Sequence, residues 1–186
     1  IRELSFGMMA ATAFAAGSAV GDILPTWQAI GDDASANAVV TCGVGQPPVK
    51  YADLTRKGSV ELPVAGPHNR VQWDFALPFD FTKANALTFD LRIDDLTGIT
   101  HAALYLKSGD GWYCHDLSIE AEGTWQRVRW ARQDKTWTEG TPTGLNRIDG
   151  IRLAFSRSAE RRTTTAAVAD FALETEAVVE SPAEVA

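Results

Sequence analysis

Strict alternation of apolar and polar residues is the feature that most limits how this chain can fold. From residue 59 onward this alternation dominates, as in Val71, Trp73 and Phe75, which are separated by the polar residues Gln72 and Asp74. Alternation with a period of two over about four to eight residues is typical of strands that bury one face. The pattern recurs in residues 59–64, 70–77, 86–93, 101–107, 124–130, 150–156 and 167–174. The chain is therefore predicted to be built mainly from strands.

Turn sequences separate these segments and predict antiparallel connections. The sequence SGDG at 108–111 lies between two alternating segments and is typical of a hairpin turn. Further turn signals lie at 65–69, 122–124 and 138–144. Residues 22–57 are less regular, and 36–42 is their best strand candidate. The predicted fold is all-β, an antiparallel β-sandwich of two sheets.

The alternation also assigns side chains to the two faces of a sheet. If Leu117 and Val128 point into the core, so do His115 and Trp130, which share their parities. Trp73 and the set Ala169, Phe171 and Leu173 are predicted to point inward as well. The side chains predicted to point outward include His101, Tyr105, Trp112, Asp116, Arg127 and Arg129. Trp137 lies between charged residues and a turn, and is predicted to be exposed.

The two ends of the chain differ from the middle. Residues 1–21 contain a stretch of Ala, Met, Phe and Gly after Arg2, with small residues that resemble cleavage sites. This segment is interpreted as a signal peptide or as a buried N-terminal segment, because it is too short to span a membrane. The module itself is assigned to 22–174. The acidic, patternless residues 175–186 are interpreted as a tail or a linker to further domains.

Charge and motif content exclude several classes of function. The net charge is −7, with 17 basic and 24 acidic residues and no basic stripe, so nucleic acid is not an expected partner. Three scattered histidines and the absence of a C-x-x-C sequence make a zinc site unexpected. The sequence has neither a G-x-S-x-G nucleophile elbow nor a glycine-rich phosphate loop. Cys42 and Cys114 are left as either a disulfide or two free thiols.

Paired carboxylates would be the remaining sign of an enzyme, in particular a glycosidase. Such pairs exist at Asp94 and Asp95, at Asp110 and Asp116, and at Glu120 and Glu122. Most of these residues stand in turns or at strand ends, where acidic side chains commonly serve solvation. None lies in a recognisable catalytic motif, so no catalytic activity is expected.

An ordered series of strand motifs resembles a known family. The series runs ALTFDLRIDD, LYLKSGDGWY, GTWQRV, IDGIRLAFS and VADFAL, within residues 59–173. It resembles the jelly-roll, galactose-binding-like carbohydrate-binding modules attached to bacterial glycoside hydrolases. The resemblance implies a β-sandwich that is secreted or held at the bacterial cell surface and binds polysaccharide without catalysis. It also implies a structural calcium ion in many members, with Asp170 as a candidate ligand here.

Sugar binding needs an aromatic ring to stack on the pyranose and planar polar groups to fix the hydroxyls, in a largely preformed site. The candidate binding residues are His101, Tyr105, Trp112, Asp116, Arg127, Arg129 and Trp137. The first six are predicted to lie on one sheet face. The leading hypothesis is a non-catalytic polysaccharide-binding module of a glycan-degrading protein. The alternatives are a structural or adhesion sandwich that docks on a neighbouring domain through Trp112 and Trp137, and a small glycan-cleaving enzyme.

Overall fold

The computed structural model describes residues 21–52, 58–134 and 136–175, and in them eleven strands pair in two antiparallel sheets. The strands are β1 (Asp22–Ile23), β2 (Val40–Cys42), β3 (Lys50–Tyr51), β4 (Val60–Val64), β5 (Arg70–Phe75), β6 (Ala86–Ile93), β7 (Ile99–Asp116), β8 (Gln126–Ala131), β9 (Trp137–Pro142), β10 (Gly150–Arg157) and β11 (Thr164–Glu174). The helices are α1 (Pro25–Gln28), α2 (Asp33–Val39) and a 3-10 turn (Phe81–Lys83).

Each sheet joins strands that are distant in sequence. Sheet I has the order β3-β4-β11-β6-β8, with β1 paired to β11. Sheet II has the order β2-β5-β10-β7-β9. The all-β sandwich predicted from the alternation is confirmed.

Strand β7 turns back on itself and therefore supplies two neighbouring strands of sheet II. Its first half pairs with β10 and its second half with β9. The Leu117 amide donates to the Ala102 carbonyl at 2.9 Å, a contact that a straight strand with a rise of about 3.3 Å per residue cannot make. Gly109 lies at the bend with φ +57°, a left-handed conformation that favours glycine. The hairpin predicted at 108–111 is confirmed.

The core between the sheets is rich in aromatic rings. Phe171 of β11 stacks on Phe89 at 4.7 Å between centroids and meets Trp27 of α1 edge-on at 4.9 Å. Phe75 of β5 lies 5.2 Å from the same ring, so both sheets and α1 meet there. Trp73 and Trp130 are fully buried, as the alternation predicted.

The best strand candidate of the N-terminal region is half wrong, because residues 36–39 belong to α2 and only 40–42 form β2. A capping box explains the helix. The Asp32 carboxylate accepts from the Ser35 amide at 2.7 Å, and the Ser35 hydroxyl oxygen accepts from the Asp32 amide at 3.0 Å. The alanines that follow have high helix propensity, so the apolar residues 36–39 continue the helix.

Two further predictions are wrong in β9 and β11. Residues 138–142, predicted as part of a turn, belong to the edge strand β9, which pairs with the second half of β7. In β11 the pairing register shifts between Ala169 and Ala172, and Asp170 has φ +54°. This β-bulge adds a residue, so Ala169 points outward with its partner Asp90, whereas Phe171 and Leu173 point inward.

Three further observations concern the cysteines, membrane-spanning helices and the two ends of the chain. Cys42 and Cys114 are free thiols, one in the edge strand β2 and one in the second half of β7. In the described part of the chain no helix has the length and apolar character needed to cross a membrane. The proposed signal segment lies almost wholly, and the acidic tail largely, outside the described residues.

Candidate functional site

Three aromatic side chains meet on the outward face of sheet II, at the β7 hairpin and β9. The Tyr105 ring lies edge-on to Trp112, with 6.2 Å between centroids and planes 89° apart. Trp137 of β9 approaches the same tyrosine at 6.3 Å. The hairpin brings Tyr105 beside Trp112, and pairing of Cys114 with Trp137 brings in the third ring. Tyr105, Trp112 and Trp137 are called the aromatic face below.

Trp112 of the aromatic face covers a small second core that includes Tyr105. Ala103, Tyr105, Cys114 and Ala154 are buried there, with Trp112 packed against them. Tyr105 is only 5% exposed, so it supports the tryptophans and offers a ligand little surface of its own. Burial raises the pKa of the Cys114 thiol to about 11, mainly by desolvation, which keeps the thiol protonated and unreactive. Trp137, in contrast, is 39% exposed, as predicted.

Trp112 is held in place by two cations. The guanidinium carbon of Arg152 lies 4.2 Å from the Trp112 ring centroid, and Lys107 Nζ lies 4.8 Å from it. Arg152 is in turn fixed by Asp74 through two hydrogen bonds, Nε to Oδ1 at 2.5 Å and Nη2 to Oδ2 at 2.8 Å. These bonds raise the pKa of Arg152, so the fork stays charged. Asp74 therefore positions Trp112 through Arg152.

A groove of about 290 Å³ lies beside Trp112. Its polar walls come from Thr41, Asp74, Lys107 and Asp149. One aromatic wall and several fixed polar groups are the combination that a small polar ligand needs. We refer to this cavity as the Trp112 groove.

Because Asp74 holds Arg152 and Arg152 holds the Trp112 ring, Arg152→Lys should disturb the position of Trp112. Lysine keeps the charge but cannot form the two-bond fork or stack as a plane. We expect a loss of about 1 kcal/mol in unfolding free energy, because the pair is partly exposed. We also expect a changed near-UV circular dichroism signal from tryptophan. Arg147→Lys, in the exposed pair with Asp149, is the control; an unchanged spectrum in Arg152→Lys would contradict the positioning role.

His101 and Asp116 lie on the same face, across the open end of the hairpin. His101 Nε2 and Asp116 Oδ1 are 2.6 Å apart, and both side chains are largely exposed. The structure thus places His101, Tyr105, Trp112 and Asp116 on one face of sheet II, as predicted, and Trp137 joins them there through its contact with Tyr105. The prediction that His115 points inward is also confirmed, since its ring stacks on the buried Trp130 at 5.1 Å.

Arg127 and Arg129 are not on this sheet face, and the prediction that they share one face with Trp112 is wrong. They belong to β8, which pairs with β6 in sheet I. Arg127 binds Asp90 at 3.0 Å and Arg129 binds Glu174 at 2.7 Å. They do line a cavity of about 450 Å³ at the edge of the sandwich, together with Asp116. The alternation assigned the correct outward side but not the sheet.

Asp170, the candidate calcium ligand, lies at the β11 bulge and lines a cavity of about 580 Å³. The other described residues around that cavity are Ile23, Trp27, Gln28, Ile30, Tyr51 and Gly58. Calcium takes about six to eight oxygen ligands. Among residues 21–52, 58–134 and 136–175 no three His, Cys, Asp or Glu side chains are grouped to hold a metal.

Arg152, Asp74 and Lys107 were not among the predicted site residues. Asp74, Lys107 and Arg152 occupy the outward parity of their strands, which is the one signal that marked them. Their convergence depends on the register of β5 with β10 and of β10 with β7, which no local pattern specifies.

No protein-family model and no curated protein matches the sequence. Solved structures do. The family 11 carbohydrate-binding module of a cellulosomal cellulase from Clostridium thermocellum matches with a TM-score of 0.55 and 15% identity, over 78% of this chain and 92% of that one. The family 11 module from Clostridium thermocellum in complex with a β-1,3-1,4-mixed-linked tetrasaccharide matches with a TM-score of 0.53 and 15% identity. This match covers 73% of this chain and 87% of that one. The chain shares the jelly-roll sandwich fold of these modules.

An agarase also matches, with a TM-score of 0.56 and 15% identity over 80% of this chain. The match covers 26% of the agarase, so the shared fold is one part of that enzyme. Identities of this size show a common fold, and function has to be argued from the site.

Proposed function

We propose that this chain is a non-catalytic polysaccharide-binding module. The observation that carries the proposal is the joining of the aromatic face to the Trp112 groove on one side of sheet II. Trp137 offers an exposed ring, and Trp112 forms one wall of a polar groove. A pyranose has an apolar C–H face and a rim of hydroxyls, so it needs this combination of an aromatic surface and fixed polar groups.

The polar groups around the rings are already oriented before a ligand arrives. Asp74 and Arg152 hold each other through two bonds, and Asp149 accepts from the Gly109 amide at 2.9 Å. Groups fixed in this way lose little conformational entropy on binding. They favour recognition of hydroxyl groups at defined positions.

The fold supports the same proposal and extends it to the parent protein. One matching structure holds a mixed-linked tetrasaccharide, and another is part of an agarase. We propose by analogy that this module belongs to a secreted or cell-surface glycan-degrading protein and directs a neighbouring catalytic domain to its substrate.

The described carboxyl groups whose pKa values are shifted do not resemble the general acid of a glycosidase. A glycosidase needs one carboxylic acid with a raised pKa to protonate the leaving group. The described carboxyl groups with shifted pKa values are Asp32, Asp80, Asp95 and Asp149, and each pKa is lowered by hydrogen bonds. Asp32 caps a helix, and Asp80 and Asp95 accept from backbone amides two residues on, so all three have structural roles.

Affinity electrophoresis against a polysaccharide panel tests the proposal. The panel begins with β-1,3-1,4-mixed-linked glucan and agarose, followed by arabinan, cellulose derivatives and galactan. Retarded migration in at least one gel is the expected result. Normal migration in all of them would overturn polysaccharide binding and favour docking of the aromatic face on a neighbouring domain. Release of reducing ends at high protein concentration would instead indicate an enzyme.

Calcium remains a separate proposal that rests on the family resemblance and concerns Asp170. A structural ion stabilises the folded state, by about 2.7 kcal/mol when its concentration is a hundred times Kd. We therefore expect Ca²⁺ to raise the Tm of EDTA-treated protein and Asp170→Asn to remove that rise. Asparagine tolerates the positive φ of this position, which makes it a conservative replacement. A Tm that is identical in Ca²⁺ and in EDTA would exclude a structural ion.

A further inference from the structure

Two further cavities adjoin the aromatic face at Trp137 and lead around the edge of the sandwich. A cavity of about 310 Å³ is lined by His115, Asp116, Thr136 and Trp137. The larger cavity of about 450 Å³ at the edge shares His115 and Asp116 with it. The two cavities are together called the edge groove. Trp137 therefore belongs to the aromatic face through its contact with Tyr105 and to the edge groove through this lining.

The edge groove has a rigid aromatic wall. The His115 imidazole lies nearly parallel to the Trp130 indole, with planes 15° apart and centroids 5.1 Å apart. Trp130 is buried in the core, so it fixes the histidine ring from behind. His115 thus presents a flat surface to the cavity at the point where its two parts meet.

The outer wall of the edge groove carries planar polar groups whose charges are balanced. Arg127 is bound to the nearly buried carboxylate of Asp90, and Arg129 to Glu174. Gln126 also lines the groove, and its side-chain oxygen accepts from the Glu120 amide at 3.1 Å. Guanidinium groups already paired with carboxylates attract free anions weakly but still donate hydrogen bonds. The wall therefore suits the hydroxyls of an uncharged sugar better than carboxylate or sulfate groups.

From this geometry we infer that a polysaccharide bound on the aromatic face passes Trp137 and continues along the edge groove. The inference rests on the proposed function and extends it. The module would recognise the interior of an uncharged glycan chain over several consecutive sugar units, with His115 and the β8 arginines contacting the distal units. Affinity then rises with chain length until both regions are filled.

The test measures affinity against chain length by isothermal titration calorimetry. The probes are oligosaccharides, from disaccharide to octasaccharide, made from the polysaccharide that is retarded most strongly in the gels. The unmodified protein is expected to bind the longest probe at least about tenfold more tightly than the shortest one that binds. Equal affinity across the series would overturn the inference while leaving polysaccharide binding intact.

Two variants place the effect in the edge groove. Ser118→Tyr adds bulk at an exposed lining position, and Arg129→Gln removes one guanidinium. Each variant is expected to reduce the affinity for the longest probe by about fivefold or more. The affinity for the shortest probe should change by less than about twofold. Val44→Tyr adds similar bulk near β2, at the opposite edge of sheet II, and should change neither affinity. Unchanged binding of the longest probe by Ser118→Tyr would overturn the inference.

The outcomes separate the two proposals. If no polysaccharide of the panel is retarded, both the proposed function and its extension fail. If short and long probes bind alike, and Trp137→Ala weakens both, the aromatic face binds sugar and the edge groove does not.

Discussion

Replacing Trp137 by alanine is expected to weaken polysaccharide binding by about thirtyfold or more and to leave the fold intact. A well-placed aromatic side chain at a binding surface contributes about 2 kcal/mol or more, which corresponds to that factor. The ring stands on the edge strand β9, is partly exposed, and contacts Tyr105 through one edge. Its removal exposes little of the core, so Tm should fall by only a few degrees. Calorimetry and thermal denaturation together measure both quantities.

Trp112→Ala should give a different combination of effects. Polysaccharide binding should also be lost, because the Trp112 ring forms one wall of the Trp112 groove. However, Tyr105, Ala103 and Cys114 would lose part of their cover, and Arg152 and Lys107 would lose the ring they contact. We expect a stability loss of about 2 kcal/mol or more. The contrast between the two variants distinguishes the exposed binding ring from the one that also supports the face.

Trp125→Ala is the matched control for these variants. Trp125 precedes β8, and its ring lies 5.4 Å from the guanidinium carbon of Arg92 in sheet I. The substitution removes an equally large ring on the other sheet, so it should leave affinity on the aromatic face unchanged. An equal loss of affinity in all three variants would indicate a general folding defect rather than a binding surface.

The sequence predicted those parts of the fold that one strand determines alone. Val71, Trp73 and Phe75 face the core because a strand alternates its side chains whatever its neighbours are. The β7 hairpin was predictable for a similar reason, since glycine at 109 allows the positive φ that the bend requires. Those two local features placed Tyr105 and Trp112 on one outward face.

Features that depend on pairing between distant strands were not predictable. Arg127 and Arg129 point outward as their parity indicates, but parity cannot say that β8 pairs with β6 in sheet I. Arg152 and Asp74 are 78 positions apart and meet only through the register of β10 with β5. The site was therefore predictable in the residues of one hairpin and not in those that hold Trp112.

The two misassigned strands have separate causes. Strand β9 has no buried face, and all its residues are exposed or partly exposed, so no alternation could appear. Gly140 and Pro142 strengthened the appearance of a turn. In β11 a single extra residue at Asp170 reversed the parity of everything after it. A bulge of this kind leaves no compositional mark apart from an aspartate that tolerates positive φ.

Arg157→Met is expected to cause the largest loss of stability, about 3–5 kcal/mol out of a total of about 5–15 kcal/mol, because it removes several hydrogen bonds from a charged donor and each such bond contributes about 1.5–3 kcal/mol. Arg157 is 4% exposed and donates to the carbonyls of five residues in two loops, which are Ala65, Gly66, His68, Arg161 and Arg162. Burial lowers the pKa of its guanidinium, mainly by desolvation, yet arginine remains charged at neutral pH. Methionine fills a similar volume but leaves the carbonyl groups of both loops without their donor.

Urea denaturation measures this effect as a lower midpoint with an unchanged m-value. The urea midpoint of Arg157→Lys should lie between those of the unmodified protein and Arg157→Met. Lysine keeps a charged donor, but one ammonium cannot reach both loops that the planar guanidinium connects. Arg147 is exposed in the loop between β9 and β10. Arg147→Met should therefore change the unfolding free energy by less than about 0.5 kcal/mol. A loss below about 1 kcal/mol in Arg157→Met would mean that water satisfies the loop carbonyls once the guanidinium is gone. Because the residue lies in neither groove, the folded fraction of Arg157→Met should bind polysaccharide with unchanged affinity.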